Sequence, residues 1–572
     1  MVRLPAEEEI KEVVFALNGD SVSGPDGFSG QFFQSCWDTV KVDIVNMVRA
    51  FFCGQELPRF ITYTNLVLIP KKEVVQSFGD LRPIRLSTFI NKIISRLLHD
   101  RLVKVLPIII SQNQAGFVKG RSITKNVLLA QEIIRDINRR NKLQNVVVKL
   151  DMTKAYDKVS WIFLTKVLRI YGFSERIIDM VVMLISKNWY SVIMNGQTFG
   201  FFQSSRGLKQ GDPLSPALFI IAAEVLARNF NHLFKDQKYK DFGLPKWSPV
   251  INHLSYADDT ILFCSGQSYS MKKMMKVVRD YEHVSGQMVN LDKSFVYLRE
   301  KVPLGVCRKI KRITSIKQGS FPFTYLGCPI FYGRKNRTYF ESLIKKVMKR
   351  ISSWQNILLS FGGRYVLISN VLQSLLIYIL SAMNPPACVI TQLHRIFAKF
   401  FWANTTGAKN KHWVGWDKMC YPRRERGMRC RSIQDVSKAL FAKLWWNFRT
   451  STNTLWESFM WNKYCKKHHP IIVHGTSHVW RRMTSIREEV EHEIWWQIKT
   501  GNSSFWFDNW TKQGALYHIE ENAKKEEVEV NEFNTEEGWD REKLLHNLSL
   551  EMTDHIMENI SPLNTLFGND VA

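Results

Sequence analysis

The most constraining feature of the chain is the stretch from Leu254 to Phe263, in which adjacent acids, Asp258 and Asp259, stand between two apolar runs. Tyr256, Ile261 and Phe263 favour strand, while Ala257 with Asp258 suits a tight turn, so the stretch reads as a hairpin lifting carboxylates from a sheet. An ordinary Asp-containing turn has the same local pattern. The chemical reading needs a cation, because buried like charges are costly unless a divalent metal compensates them. A second acid supplies the context. Asp151 ends the apolar run Val146-Val147-Val148-Lys149-Leu150, which reads as an interior strand. On adjacent strands Asp151, Asp258 and Asp259 would form a cluster able to hold two Mg²⁺ ions that keep waters and take substrate phosphates. That arrangement performs nucleotidyl transfer.

Charge points to the partner. The 572 residues carry a net charge of +27 with 45% hydrophobic residues, a globular composition with a strongly basic surface. From Leu516 onward there are 14 acids against 4 bases, leaving 75 bases against 38 acids before it. The basic body suits a polyanion such as nucleic acid or an anionic membrane surface. The uncharged stretch from Tyr365 to Leu393 contains Asn370, Gln373, Ser374 and Pro385-Pro386, which favours a helix ending at the prolines over a membrane span. Nine cysteines without a CxxC pair argue against a disulfide scaffold.

Along the chain, Glu8 to Leu17 is a helical pattern and Ser23-Gly24-Pro25-Asp26-Gly27-Phe28 a turn. Asn65 to Pro70 reads as a strand entering the basic turn Lys71-Lys72, and Asp80 to Ile84 as a second extended piece. A glycine-punctuated basic loop, Gln114 to Ser122, precedes a helix from about Thr124 to Asn138. Ser160 caps the next helix, strands follow near Val192 and Phe199, and Ser215 as N-cap with Pro216 starts an apolar helix to about Phe230. Met271 to Val284 is a helix stopping at Gly286. Beyond Arg334 the chain is mostly helical. Tryptophans crowd the region from His412 to Trp510, where an aromatic core is favoured over base stacking, and the acidic tail reads as loose or weakly helical.

Lys149-Leu-Asp-Met-Thr-Lys-Ala-Tyr-Asp-Lys-Val159, Arg206-Gly-Leu-Lys-Gln-Gly-Asp-Pro-Leu-Ser-Pro216 and Tyr256-Ala-Asp-Asp259 resemble, in order, the A, B and C motifs of reverse transcriptases. Ser23 to Phe28, Asp80 to Ile84, Gln114-Ala-Gly-Phe117 with Gly120-Arg121-Ser122, Ser285-Gly-Gln287 with Asn290-Leu291, and Tyr325-Leu-Gly-Cys-Pro329 resemble the LINE-type (non-LTR) retrotransposon branch in its plant form. The resemblance implies an α+β right-hand polymerase with fingers, a palm containing an antiparallel sheet, and a helical thumb, followed by a mostly helical Trp-rich region. It implies an N-terminal helical segment over 1–63, fingers and palm over 64–330, a thumb over 331–405, the Trp-rich, incompletely zinc-binding-like region over 406–515 and the acidic tail over 516–572.

By the same resemblance Asp151, Asp258 and Asp259 are the catalytic, metal-holding acids for two Mg²⁺ ions, with Mn²⁺ as an alternative. Tyr156 falls where a side chain abuts the sugar 2′ position and excludes ribonucleotides, or simply packs behind the strand. Gln210 and Gly211 correspond to the loop against the incoming nucleotide. Arg82 and Lys71 or Lys72 correspond to fingers cations on the triphosphate, and Lys293 to the lysine that protonates pyrophosphate. Tyr325, Leu326 and Gly327 correspond to the primer-gripping turn. RNA template, DNA primer or target, dNTPs and action in the nucleus follow, with no membrane partner.

The family's full-length proteins begin with an endonuclease, for which no room exists before Glu8, so a truncated element is expected. Cys420, Cys430, Cys465, His468 and His469 could bind zinc, but their spacing matches no standard finger. Competing readings are an inert relic that only binds nucleic acid, an RNA-directed RNA polymerase and a group II intron maturase. Tyr156 and Tyr256 oppose the RNA polymerase, and the LINE-type segments oppose the maturase.

Overall fold

A computed structural model describes the chain except residues 139–143, 245–247, 300–301, 355–358, 404–411, 451–453, 467–468, 471–475, 522, 524–527, 536–537, 564–569 and 571–572, and the side chains of 466, 469, 470 and 488. The chain divides into two units. Unit 1 comprises Met1–Asn126, Ile137–Gly243 and Val250–Ser320, and unit 2 comprises Val127–Asp136, Leu244–Pro249 and Phe321–Ala572.

Unit 1 contains two sheets built from β1 (Tyr63–Pro70), β2 (Leu81–Ser87), β3 (Asn145–Leu150), β4 (Trp189–Met194), β5 (Gln197–Gln203), β6 (His253–Tyr256), β7 (Asp259–Ser265), β8 (Phe295–Tyr297) and β9 (Lys317–Gln318). The first has the order β2-β1-β4-β5, with β1 antiparallel to β2 and parallel to β4. The second has the order β6-β7-β3-β8-β9 and is antiparallel except at β8 and β9. The predicted acid-bearing hairpin is therefore β6–β7, and the predicted interior strand β3 sits in the middle of its sheet. Val146, Val147, Val148 and Leu150 are buried, as a strand covered on both faces requires.

Among the helices that share the core with that sheet are α1 (Trp161–Ile170), α2 (Ser215–His232) and α3 (Ser268–Ser285). Phe163 and Leu164 of α1, Leu218 and Phe219 of α2, and Met274 and Val278 of α3 join Val146 and Leu262 in one buried cluster. Ser160 caps α1 as expected, its hydroxyl accepting from the Phe163 amide at 3.3 Å. The start of α2 differs from expectation. Ser215 is its first helical residue, and the Asp212 carboxylate takes the capping role, accepting from the Leu214 and Ser215 amides at 3.1 and 3.2 Å. A carboxylate at a helix N-terminus gains from the helix dipole as well as from the amides, so it outcompetes the hydroxyl.

The main segment of unit 2, from Phe321, begins with a hairpin, β10 (Phe323–Tyr325) and β11 (Cys328–Ile330), and is otherwise mainly helical. Its main elements are α4 (Ala387–Phe401), α5 (Ile433–Thr450) and α6 (His478–Val490). The helix before Pro385 ends at Ala382, in line with the sequence reading. By length and composition alone, two helices among the described residues could cross a membrane: Ser215–Lys235 and Phe361–Ala382. The tryptophans are mostly core: Trp445, Trp456, Trp480, Trp506 and Trp510 are among the largest fully buried side chains, whereas Trp413 is 77% exposed.

The acidic tail is more ordered than its composition suggested. Helices Arg541–Asn547 and Leu550–Asn559 bury Leu544, Met552 and Ile556, and the Trp539 indole donates to the Ile560 carbonyl at 2.9 Å. Apolar residues spaced three or four apart along helices make a stripe that the surplus of acids conceals.

Candidate active site

The register of the second sheet decides where the acids meet. Leu150 pairs with Thr260 and Tyr256 with Asp259, so one step beyond the β3–β7 ladder Asp151 stands across from Asp259, with Asp258 at the adjoining turn. The turn consists of Ala257, with φ +55°, and Asp258. All three sequence-predicted acids thus gather at one end of one sheet.

Neighbouring loops hold both acidic segments in place. The Asp151 amide donates to the Ser294 hydroxyl at 3.1 Å, and its carbonyl accepts from the Asn290 amide at 2.7 Å. Gln287 donates from its side-chain amide to the Ala155 carbonyl at 2.9 Å. On the other side, the Gln114 side-chain carbonyl accepts from the Ala257 and Gly116 amides, each at 2.9 Å, while its Nε2 donates to the Ala257 carbonyl at 3.2 Å. A Cβ on Gly116 would lie 2.5 Å from the Ala257 nitrogen, so only glycine permits this approach. Arg121 donates to the carbonyls of Ser111, Gln114 and Ile110 and so fixes the loop that carries Gln114. Gln114 and Gln287 lie inside motifs visible in the sequence. Their roles as supports were not visible, because nothing local shows what a buried amide will clasp.

The electrostatics are those of a site short of positive charge. Among the described residues, none of the three carboxylates makes an ion pair within 4.0 Å. Asp258 is exposed at the turn, yet crowding by surrounding protein raises its pKa; Asp151 raises it further, and Asp258's own amide and Arg82 oppose this. Asp259 is raised by burial, with Lys149 opposing and Asp258 and Asp151 reinforcing. Asp258 and Asp259 therefore both feel the charge of Asp151, and the set wants a cation. Among the described residues no three His, Cys, Asp or Glu side chains form a ready-made metal cage. An open carboxylate set is what a hard cation completed by water and substrate phosphate needs, so the residues fit a divalent ion.

The other predicted residues divide into those the fold brings to the acids and those it uses elsewhere. Tyr156 is half-buried, its ring stacked on Phe219 with centroids 4.6 Å apart. Burial first, and then the charge of Asp258, drives its pKa well above the usual phenol range, which places it in the acids' field. Arg82, exposed on β2, acts on Asp258 from the first sheet. Gln210 is anchored by its carbonyl, which accepts from the Arg85 amide at 3.1 Å, and Gly211 has φ +100° beside the Arg85 carbonyl.

Arg85 was not anticipated. It pairs with Asp157 at 3.0 Å and donates to the Leu208 carbonyl at 2.7 Å, tying the segments on either side of Tyr156 and Gln210. Lys71 and Lys72 close the tip of the β1–β2 hairpin, Lys71 on the Gly79 carbonyl at 3.1 Å and Lys72 on Asp80 at 3.0 Å. The Lys72 ammonium is the first cause holding the Asp80 carboxyl down at about 2. Asp80 lies nine residues or fewer from both lysines, and hairpin closure brings it to them. Lys293 is exposed in the turn beginning at Asn290, one residue from Ser294. In unit 2, Tyr325 is buried, Leu326 and Gly327 form the turn with φ +48° and +80°, and the Tyr378 hydroxyl donates to the Leu326 carbonyl at 2.5 Å.

The zinc candidates do not assemble among the described residues. Burial raises the Cys420 thiol and the nearby Cys430 adds to it, whereas burial raises the Cys465 thiol against the opposing charges of Arg449 and Arg487. His468 and the side chain of His469 lie outside the described residues.

The family model described as reverse transcriptase (RNA-dependent DNA polymerase) matches residues 69–330, which include all three acids. Residues 69–330 form a reverse transcriptase domain. Relatives that the chain matches include proteins of the non-LTR retrotransposons TX1 and R2. The Transposon TX1 uncharacterized 149 kDa protein of Xenopus laevis is 26% identical over 424 residues, covering 73% of this chain and 31% of the relative. The Pol polyprotein from the type-2 retrotransposable element R2DM of Drosophila melanogaster is 26% identical over 275 residues, covering 48% of this chain and 25% of the relative. A putative ribonuclease H protein of Arabidopsis thaliana is 26% identical over 248 residues, covering 41% and 40%. The chain spans between 25% and 40% of the length of these relatives.

Proposed function

We propose that this chain is the RNA-directed DNA polymerase of a plant LINE-type retrotransposon, extending the 3′-hydroxyl of a DNA primer with dNTPs on an RNA template in the nucleus, with no membrane partner. The observation that carries this reading is the gathering of Asp151, Asp258 and Asp259 at one sheet end, within reach of Tyr156 and Arg82. Similarity to a plant protein supports the plant assignment.

In this reading the three acids hold two Mg²⁺ ions. Bound there, such ions supply activation of the primer hydroxyl and charge neutralisation at the leaving pyrophosphate. The chain's own groups do the positioning. Arg82, exposed and unpaired with any acid among the described residues, offers a bidentate guanidinium to the triphosphate. Lys71 and Lys72 are committed to the hairpin tip, which leaves Arg82 as the favoured fingers cation. The Tyr156 ring, braced by Phe219, forms the wall against the sugar 2′ position. Gln210 and Gly211 present backbone to the incoming nucleotide, Lys293 serves as pyrophosphate acid, and Tyr325, Leu326 and Gly327 grip the primer. Fingers and palm over 64–330, a thumb over 331–405 and a Trp-rich region over 406–515 complete the organisation.

The test is extension of an annealed DNA primer on an RNA template with dNTPs and Mg²⁺, beside Asp258→Ala. Incorporation by the wild type and its loss by at least about 10³-fold in the variant are expected, since removing a group that acts with its partners as a unit costs on that scale or more. Tight, salt-sensitive template binding without incorporation would overturn the polymerase reading in favour of an inert binder.

A further inference from the structure

Unit 2 contains a cavity of about 610 Å³ between α4, the Trp416–Met419 turn, α5 and α6. Four of its lining residues are Lys335, Arg395, Lys399 and Arg482, against a single acid, Asp417. None of the four cations makes an ion pair among the described residues. Arg395 and Lys399 are exposed one turn apart on α4, while burial and the charges of Arg482 and Arg481 hold down the Lys335 pKa. Like charges gathered this way need an anion.

Unpaired donors lie behind the same wall. The Trp416 indole Nε1, the Ser437 hydroxyl and the Arg482 Nε are buried with no hydrogen-bond partner among the described residues, and all three residues line the cavity. Trp416 is 7% exposed and Ser437 1%. A buried donor left unpaired costs about 1–3 kcal/mol, so these three sit just behind a wall that has no acceptor of its own to offer them.

A second cavity, about 960 Å³, lies on the other side of the first turns of α5. Arg423, Arg424, Arg429, Arg431 and Lys443 line it, with Asp435 the only acid there. Gln434 and Ser437 face one cavity, Asp435 and Val436 the other. A free phosphate or nucleotide would satisfy one cavity. An extended chain of phosphates satisfies both.

We propose that the two cavities flanking the start of α5 form a docking track for single-stranded nucleic acid, with phosphates held by Lys335 and Arg482 on one side and by the Arg423–Arg431 cluster on the other. The choice of nucleic acid as ligand rests on the polymerase reading; the demand for an anion does not. The Arg395 and Lys399 heads, exposed on α4, add to the phosphate contacts, and every residue of the track belongs to unit 2.

The test uses the full chain and a short fluorescent RNA oligonucleotide carrying 5-bromouracil. Ultraviolet crosslinking is expected to mark peptides spanning 387–399 or 412–419. Two variants, Lys335→Gln with Arg482→Gln and Arg395→Gln with Lys399→Gln, are expected each to bind the oligonucleotide at least about 5-fold more weakly by anisotropy. Each should also make the log K against log salt slope shallower by about 1.4, the value for two single-strand phosphate contacts. The second pair is exposed and should leave the melting temperature unchanged, so its result stands even if the first pair fails to fold. Crosslinks confined to unit 1 peptides, or wild-type affinity in the Arg395→Gln, Lys399→Gln chain, overturn the proposal. Displacement of the oligonucleotide by inorganic phosphate or UMP at equal phosphate concentration also overturns it, in favour of a small-anion site. Primer extension measured in parallel separates the two readings: crosslinks at 387–399 or 412–419 without incorporation sink the polymerase alone, and incorporation without them sinks the track alone.

Discussion

Tyr156 carries two readings that separate at the level of one side chain. Its ring lies against Phe219 with planes 12° apart and in the field of Asp258, so packing and the proposed role at the sugar 2′ position fall on one ring. If the ring excludes the ribose 2′-hydroxyl, Tyr156→Phe keeps the wall and Tyr156→Ala removes it. Tyr156→Ala is expected to raise rNTP relative to dNTP incorporation by about 10- to 100-fold, the range for relieving one steric clash, with Tyr156→Phe unchanged. Equal discrimination in all three proteins would leave Tyr156 a packing residue. A second residue-scale consequence lies in the same motif region. Lys209 is buried, donates to Asn91 at 2.9 Å, and burial lowers its pKa to about 8, with Asp212 opposing. Folding therefore disfavours its charged form. The penalty is full below about pH 8, where Lys209 is charged in both states, and is relieved as pH rises toward its ordinary value near 10.4. The difference in unfolding free energy between wild type and Lys209→Met should change across pH 8 to 10.4 by up to about 1.4 kcal/mol per pH unit, in the wild type's favour. A pH-independent difference in denaturant melts would contradict the buried charge.

At the scale of elements, the β6–β7 hairpin shows what was legible and what was not. Alternation and turn chemistry placed both strands and the two-residue turn, since Tyr256, Ile261 and Phe263 leave few alternatives. The clamp on that hairpin was hidden, because Gln114 reaches it through a fold contact across more than a hundred residues. Nearer partners were hidden too, because hairpin closure sets Lys72 against Asp80 and the helix dipole favours the Asp212 carboxylate over Ser215 as the cap. Local patterns find elements; they do not find partners. The clamp is testable through Gly116. An alanine Cβ 2.5 Å from the Ala257 nitrogen must push the hairpin away, and a displacement near 1 Å can cost about 10²-fold in rate. Gly116→Ala should therefore lower kcat for dNTP incorporation on that scale. Gly305→Ala, where an added Cβ meets nothing within 4 Å, should not. Equal activity in the two variants would show that the hairpin tolerates displacement.

At the scale of the molecule, each unit has its own core and its own way of handling charge. Unit 1 leaves its carboxylates without ion pairs at a sheet end, whereas unit 2 buries charges in pairs. Arg449, 6% exposed at its side chain, bridges Glu491 at 3.0 Å and Asp508 at 2.5 Å, and Glu491 also accepts from the Trp445 indole. Composition could not have shown this, because the same residues counted only toward a net charge of +27. A buried bridge of this kind adds little net stability when intact, but removing its centre strands two carboxylates in a dry interior. Arg449→Met keeps the length of the side chain and removes the charge, so the loss falls on Glu491 and Asp508. The expected cost is about 3–5 kcal/mol, and it should be local. Hydrogen exchange followed by peptide mass analysis should show lost protection in α5 and in residues 491–510, while peptides of β3 and α2 in unit 1 keep theirs. Replacing the whole bridge, with Arg449→Met, Glu491→Gln and Asp508→Asn together, should recover part of that protection because no carboxylate is then left unpaired. If the triple variant is as unprotected as the single one, Arg449 acts through its packing against Trp461 and Trp496 rather than through its charge.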